Sequence, residues 1–294
     1  MSSRQGATLL VVGDVHNHWR PADREFLERG GCDLAVFVGD LGDEDVKMAE
    51  AVAGVAVPKV VVLGNHDAWQ SFSQKKPTAK LRAVMAALGD DHLGFGLREC
   101  YAAGVSLIGA RPFSWGGQSL RSAELYRELY GVGSAEESAE RIVELAQRAE
   151  HRDLVIVAHN GPKGLSREPA DIWGKDFGNP GGDWGDDDLR LAIEKIDGLG
   201  LRVRAVLAGH MHERLAQPRQ GVRQRFVRRD GTLFVNAAVV PRVRRAEDGT
   251  EVGHFLRLVV RDGEVVDLHE VWVDGEGQVR RTIRPDVREL PRAS

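Results

Sequence analysis

Cysteine is scarce in this chain: Cys32 and Cys100 are the only two in 294 residues. Two thiols cannot staple a small secreted domain, and their scarcity fits a reducing compartment. Long apolar runs are missing too. No stretch approaches the length of a membrane-crossing helix, so no membrane partner is expected. The first apolar run is short and meets Asp14 at once, unlike a secretory leader. A cytoplasmic protein is expected, or an organelle stromal one if a transit peptide has been trimmed. A strong excess of one charge is also lacking, with a formal net charge of −4 and a pI near 6.2. Nothing in that balance points to a global polyanion-binding surface.

What is present is ordinary globular material, 42% hydrophobic and 29% charged, enough to bury a full core. Leu9, Leu10, Val11 and Val12 read as a buried strand that runs into Gly13 and then Asp14-Val15-His16. If extended geometry persists past Gly13, Asp14 and His16 project to the same side. A carboxylate and an imidazole converging there suit Zn, Mn or Fe. The pair alone is equally a turn aspartate beside a satisfied histidine.

The same arrangement recurs. A helix over 21–29 leads to a strand over 33–39, which ends in Gly39-Asp40-Leu41-Gly42-Asp43. A helix over 44–52 leads to a strand over 59–64, which ends in Asn65-His66-Asp67. Strand, loop, helix and strand with short connections indicate right-handed βαβ units in a parallel sheet. Ligands of such sheets sit at the carboxyl ends of the strands. Further helices are predicted over 80–88, 119–130, 134–149 and 189–196, and further strands over 105–110, 153–158 and 203–208. The strand over 153–158 ends in His159-Asn160, and the strand over 203–208 in Gly209-His210-Met211-His212. Beyond it, 232–237, 254–260 and 264–273 alternate like antiparallel strands, with Asp262-Gly263 as a hairpin turn. After about Val279 the chain reads as a tail.

Five blocks therefore stand in order, with 26 residues from Asp14 to Asp40 and 25 from Asp40 to Asn65. In these blocks the sequence resembles the calcineurin-like metallophosphoesterases, from about Leu9 to His212. The resemblance implies a single domain over 1–294 built as a four-layer α/β/β/α sandwich, two facing mixed β-sheets flanked by helices. Specificity loops would lie around 111–188, and a C-terminal β-rich segment over 231–274. It implies two divalent metal ions (Mn, Fe or Zn), with Asp14, His16 and His212 on one, Asn65, His159 and His210 on the other, and Asp40 shared. It further implies hydrolysis of a phosphomonoester or phosphodiester by a metal-activated hydroxide, with His66 as the catalytic histidine. Asp43 and Asp67 are read as partners that orient imidazoles, Asp67 equally as a turn residue. His18 and Asn160 are candidate substrate contacts, each with a surface or turn role as the alternative. Trp19, Trp69 and Trp115 are candidates for the pocket rim.

The aperiodic loop over 163–188, with Trp173 and Trp184, and the segment over 111–117 are expected to set substrate choice. They favour a small phosphorylated molecule. Arg219, Arg223, Arg225, Arg228 and Arg229 would suit a phosphorylated or nucleic-acid ligand, but a solvated hairpin is preferred given the acidic balance; a nuclease acting on nucleic-acid phosphodiesters is the nearest enzyme rival. A non-catalytic metal-binding scaffold is the rival from another class. Oligomeric state is left open.

Overall fold

A computed structural model describes residues 6–117 and 119–291. In chain order it contains β1 (Gly6–Val12), α1 (Pro21–Arg29), β2 (Leu34–Phe37), α2 (Val46–Ala53), β3 (Lys59–Val61), α3 (Trp69–Gln74), α4 (Ala79–Leu88), β4 (Leu97–Cys100) and β5 (Val105–Gly109). There follow α5 (Ala123–Tyr130), α6 (Ala135–Gln147), β6 (Asp153–Val157), α7 (Asp187–Gly198), β7 (Arg202–Ala208), β8 (Phe226–Arg229) and β9 (Thr232–Asn236). The chain closes with β10 (Val243–Arg245), β11 (Glu251–Arg261), β12 (Glu264–Val273), β13 (Val279–Ile283) and β14 (Arg288–Glu289).

The strands form two mixed sheets. One runs β13-β12-β11-β1-β2-β3 with β10 also on β11; the other runs β14-β8-β9-β7-β6-β5-β4. Pairing is parallel between β1, β2 and β3, and between β5, β6, β7 and β9. Side-chain alternation explains the layers. Leu9, Val11, Val36 and Val62 of the first sheet meet Leu107, Val155, Val157 and Leu207 of the second in one buried cluster. Their neighbours Leu10, Val12, Ala35 and Phe37 face the other way, with Phe26, Leu27 and Val52 of α1 and α2. Ile108, Leu154, Ile156 and Val206 likewise pack on Ile142 and Ile196 of α6 and α7. The central strands β1, β2, β5, β6 and β7 thus bury both faces, and the result is the expected four-layer sandwich.

Local signals hold where they are strong. At the start of α6, the Ser134 hydroxyl accepts from the Glu137 N–H at 3.1 Å, as a cap should. The expected C-terminal tail does not hold. β13 adds to β12 in antiparallel register, and β14 pairs parallel with β8, so one strand closes an edge of each sheet. The arginine run is also no simple solvated hairpin. Arg223 and Arg225 are buried. Arg223 donates to the carbonyls of Pro169, Asp171 and Gly174 at 2.7–2.9 Å and of His212 at 3.0 Å. Arg225 pairs with Glu270. Among the described residues no helix is long and apolar enough to cross a membrane.

Candidate metal centre

The carboxyl ends of β1, β2 and β3 in one sheet meet those of β6 and β7 in the other. Asp14, Asp40 and Asn65 come from the first set, and His159, His210 and His212 from the second. The backbone there is not extended as the simple alternation argument requires. Asp14, His16, Asp40 and His210 have φ of 32°, 45°, 51° and 68°, in the left-handed region that non-glycine residues seldom adopt. Such strain costs on the order of 1–3 kcal/mol per residue and persists only where surroundings impose it. Here the His16 N–H donates to the Asp40 carbonyl at 2.7 Å, and the His210 N–H to the Asp14 carboxylate at 3.1 Å. Turns at the strand ends, rather than strand alternation, bring Asp14 and His16 together.

Glycines make that packing fit. A Cβ on Gly64 would lie 2.2 Å from Asp40 Oδ1, and one on Gly209 would lie 2.1 Å from Asp14 Oδ1. Only a residue without a side chain lets the backbone approach the carboxylates so closely.

Three groups have ligand atoms within 4.8 Å of one another: Asp14, His16 and His212; His16, Asp40 and His66; and Asp40, His159 and His210. Asp40 faces both sides. Its Oδ2 is 3.6 Å from His16 Nε2, and its Oδ1 is 3.4 Å from His159 Nε2. His212 Nε2 lies 3.6 Å from Asp14 Oδ2. Asn65 Oδ1 sits 2.9 Å from His159 Nε2, while His159 Nδ1 is 2.8 Å from the Val38 carbonyl, which orients the ring. All seven side chains predicted as ligands thus lie together. Two observations fit them to divalent cations. His16 Nε2 is buried yet has no hydrogen-bond partner among the described residues. The donors are carboxylate oxygens, imidazole nitrogens and one amide oxygen, a set suited to first-row divalent metals.

The electrostatics describe a site crowded with titratable groups. Burial, then the Asp40 charge, pushes the Asp14 carboxyl up to about 7. Burial opposes ionisation of Asp40 as well, but His159, His16 and His66 hold it well below the usual carboxylate range. His159 rises to about 9, because the attraction of Asp40 and Asp14 outweighs the penalty of burial. Burial and neighbouring imidazoles lower His210 to about 3 and His212 to about 4.

His66 lines the same opening. Its Nδ1 lies 2.8 Å from Asp43 Oδ1, its N–H donates to Asp40 Oδ1 at 2.9 Å, and its ring stacks on Trp69 at 5.0 Å between centroids. Asp67 is buried and accepts from the N–H groups of Gly42 at 3.0 Å and Gly64 at 2.8 Å. It therefore braces the two loops that carry Asp40 and Asn65 and, among the described residues, accepts from backbone rather than from an imidazole. Asn160 does not face the opening. It is buried, and its amide nitrogen donates to the Trp184 carbonyl at 2.9 Å. His18 is exposed and contributes its carbonyl to Arg242. Trp19 packs against Phe37 in the core, and Trp173 is wholly buried.

A cavity of about 710 Å³ opens over Asp40, Asn65, His66, His210 and His212. Its walls include Trp115, Phe177 and Trp184, with Arg121 and Arg214. The two aperiodic segments form one wall. The Trp184 indole N–H donates to the Trp115 carbonyl at 2.8 Å, and the Gly117 N–H donates to the Trp184 carbonyl at 2.9 Å. Behind it the buried Arg111 joins Asp186 at 3.1 Å and Asp188 at 2.7 Å. Sequence reasoning missed Arg121, Phe177 and Arg214 as cavity residues. Arg121 and Phe177 fall inside the region expected to hold the specificity loops, and Arg214 follows His212 by two residues, but the pattern singles out none of them.

The sequence pattern of the calcineurin-like phosphoesterases matches residues 7–214. The chain belongs to that family. This calcineurin-like phosphoesterase matches no curated protein by sequence. One solved chain superposes with a TM-score of 0.53 at 12% identity, over 95% of this chain and 99% of its own. A purple acid phosphatase, PPD1, from yellow lupin (Lupinus luteus) seeds gives 0.46 at 12% identity, over 98% of this chain and 54% of the other. A dimetal phosphatase from Danio rerio gives 0.44 at 12% identity, over 97% and 100%. The family membership makes this calcineurin-like phosphoesterase a metal-dependent hydrolase of phosphoesters.

Proposed function

We propose that this chain hydrolyses a phosphomonoester or phosphodiester at a dinuclear centre. Asp14, His16 and His212 would hold one divalent ion, Asn65, His159 and His210 the other, with Asp40 between them. The observation that carries this reading is the two-sided contact of Asp40, 3.6 Å from His16 and 3.4 Å from His159. Two ions side by side repel, and a shared carboxylate offsets the repulsion. When bound, such ions supply positive charge to phosphate oxygens and lower the pKa of water towards neutrality.

The protein groups do the rest. Asp43 holds His66 through Nδ1 and leaves Nε2 to donate a proton to the leaving oxygen. General acid assistance of this kind contributes about 10²–10⁴-fold. Asp67 keeps the Asp40 and Asn65 loops in register. The fused loops at Trp115 and Trp184 limit what fits beside the reacting phosphate and so choose the substrate. Manganese is the metal to supply first, and the cytoplasm or a stroma is the compartment to expect from the cysteine content.

The test combines metal counting with turnover of bis(4-nitrophenyl) phosphate. Two ions per chain, together with hydrolysis that falls by about 10²-fold or more in His66→Ala, support the reading. Two bound ions with no hydrolysis above the His66→Ala control would instead favour a non-catalytic scaffold.

A further inference from the structure

A second cavity, of about 730 Å³, adjoins the metal-ligand cavity and shares Arg214 with it. Arg244, Arg245, Arg280 and Arg281 also line it, with Trp272. The sheet explains their convergence. β10 pairs with the first residues of β11, β11 with the end of β12, and β12 with β13, giving a four-stranded ribbon at that end. Arg244 lies opposite Val252, and Arg281 opposite Trp272, so these side chains share one face. The Arg244 guanidinium lies 3.8 Å from the centre of the Trp272 ring.

Arginine on an outer strand often serves only to keep sheets from pairing edge to edge. Two facts go beyond that reading. First, the charges are poorly balanced. Glu247 and Asp248 are the acids on the lining, against five arginines. Arg280 pairs with Asp248 at 3.2 Å and Arg244 reaches Glu213 at 3.7 Å. Arg214, Arg245 and Arg281 have no carboxylate partner among the described residues. This concentration sits on a chain whose net charge is −4. Second, the cluster continues directly from the ligand set, since Arg214 follows His212 by two residues and borders both cavities. Guanidinium groups match phosphate oxygens in planar, two-pronged fashion, which makes such a cluster a phosphate-binding surface.

We propose that the substrate carries a second phosphate beyond the one that reacts, and that the arginine cavity receives it. The proposal rests on the phosphoesterase reading for the position of the reacting phosphate. Two sources share this chemistry, a short oligonucleotide and a linear polyphosphate chain.

Equilibrium binding to the metal-loaded protein tests it without reliance on turnover. The probes are the dinucleotide TpT, its 5′-phosphorylated form pTpT, and inorganic tripolyphosphate. The terminal phosphate should tighten binding by about tenfold or more, an advantage that shrinks as salt is raised. The exposed pair Arg245→Glu with Arg281→Glu should bring pTpT back to the level of TpT. Stronger binding of pTpT than of tripolyphosphate assigns the nucleoside-linked source, and the reverse order assigns the phosphate chain. Equal affinity for TpT and pTpT in the unaltered protein overturns the proposal, as does an advantage that survives both charge reversals. Bis(4-nitrophenyl) phosphate turnover, measured in parallel, separates the two readings. Its absence, with the pTpT advantage intact, would defeat the phosphoesterase mechanism and leave the arginine cavity standing.

Discussion

Asp40 and His159 approach to 3.4 Å, Oδ1 to Nε2, where the two sheets meet. One residue follows β2 and the other follows β6, so this contact joins the halves of the sandwich at the site. Asp40→Asn keeps the shape and removes the charge that two cations would share. Loss of groups that only orient metal ligands costs about 10–100-fold. Loss of the shared ligand is expected to exceed that in turnover and to leave fewer than two ions per chain. Metal analysis of the purified variant beside its rate checks both.

Asp43→Asn should separate orientation from metal binding. The amide retains a polar contact with His66 Nδ1 but not the carboxylate charge, and Asp43 belongs to none of the clustered ligand groups. Two ions should remain bound while kcat falls by about 10–100-fold. An unchanged kcat would make the aspartate a surface residue.

Gly64→Ala tests the close approach behind Asp40. The new Cβ would lie 2.2 Å from Asp40 Oδ1 and 2.4 Å from its backbone nitrogen, and backbone cannot yield as a flexible side chain does. The expected outcome is a folded protein with weakened metal binding, read by circular dichroism and metal titration.

Arg111 is buried against Asp186 and Asp188, which lie under the wall formed by Trp115 and Trp184. Arg111→Ala leaves two buried carboxylates without their counter-charge, a change that costs about 3–5 kcal/mol. For a chain of this size that lowers Tm by about 6–20 °C in calorimetry. Arg111→Ala together with Asp188→Asn should recover part of the loss, because one of the two stranded charges is then gone.

Stability should fall with acid well above the carboxylate range. Burial pushes His92 down to about 4 against its hydrogen bond to the Val61 carbonyl, and His254 is likewise lowered to about 4 by burial. Below the ordinary value near 6.5 the unfolded chain takes up protons that the folded chain refuses until about pH 4. Each histidine therefore removes stability as pH drops through that window, at a slope approaching about 1.4 kcal/mol per pH unit. His92→Gln should flatten the slope by about one proton, as measured by urea unfolding at several pH values between 4 and 6.5. An unchanged slope would mean that His92 does not remain neutral in the fold.

The sequence by itself determined the strands that carry the site, the order of its blocks and the side chains that cluster at their carboxyl ends. Those signals are local: an apolar run, a glycine, then a polar residue at the strand end. The unbroken apolar runs of β1, β2, β6 and β7 also marked them as buried strands. Only the tertiary structure decided what depends on partners far apart in the chain. Arg225 is buried because Glu270 meets it, and Arg111 because Asp186 and Asp188 do. The strands β13 and β14 exist because β12 and β8 offer open edges, although their own residues are charged and exposed enough to read as a tail. The left-handed turns at Asp14, His16 and Asp40 likewise come from hydrogen bonds between separate loops. Short windows of sequence encode propensity and pattern, whereas ion pairs, sheet edges and shared cavities come from residues that only folding brings together.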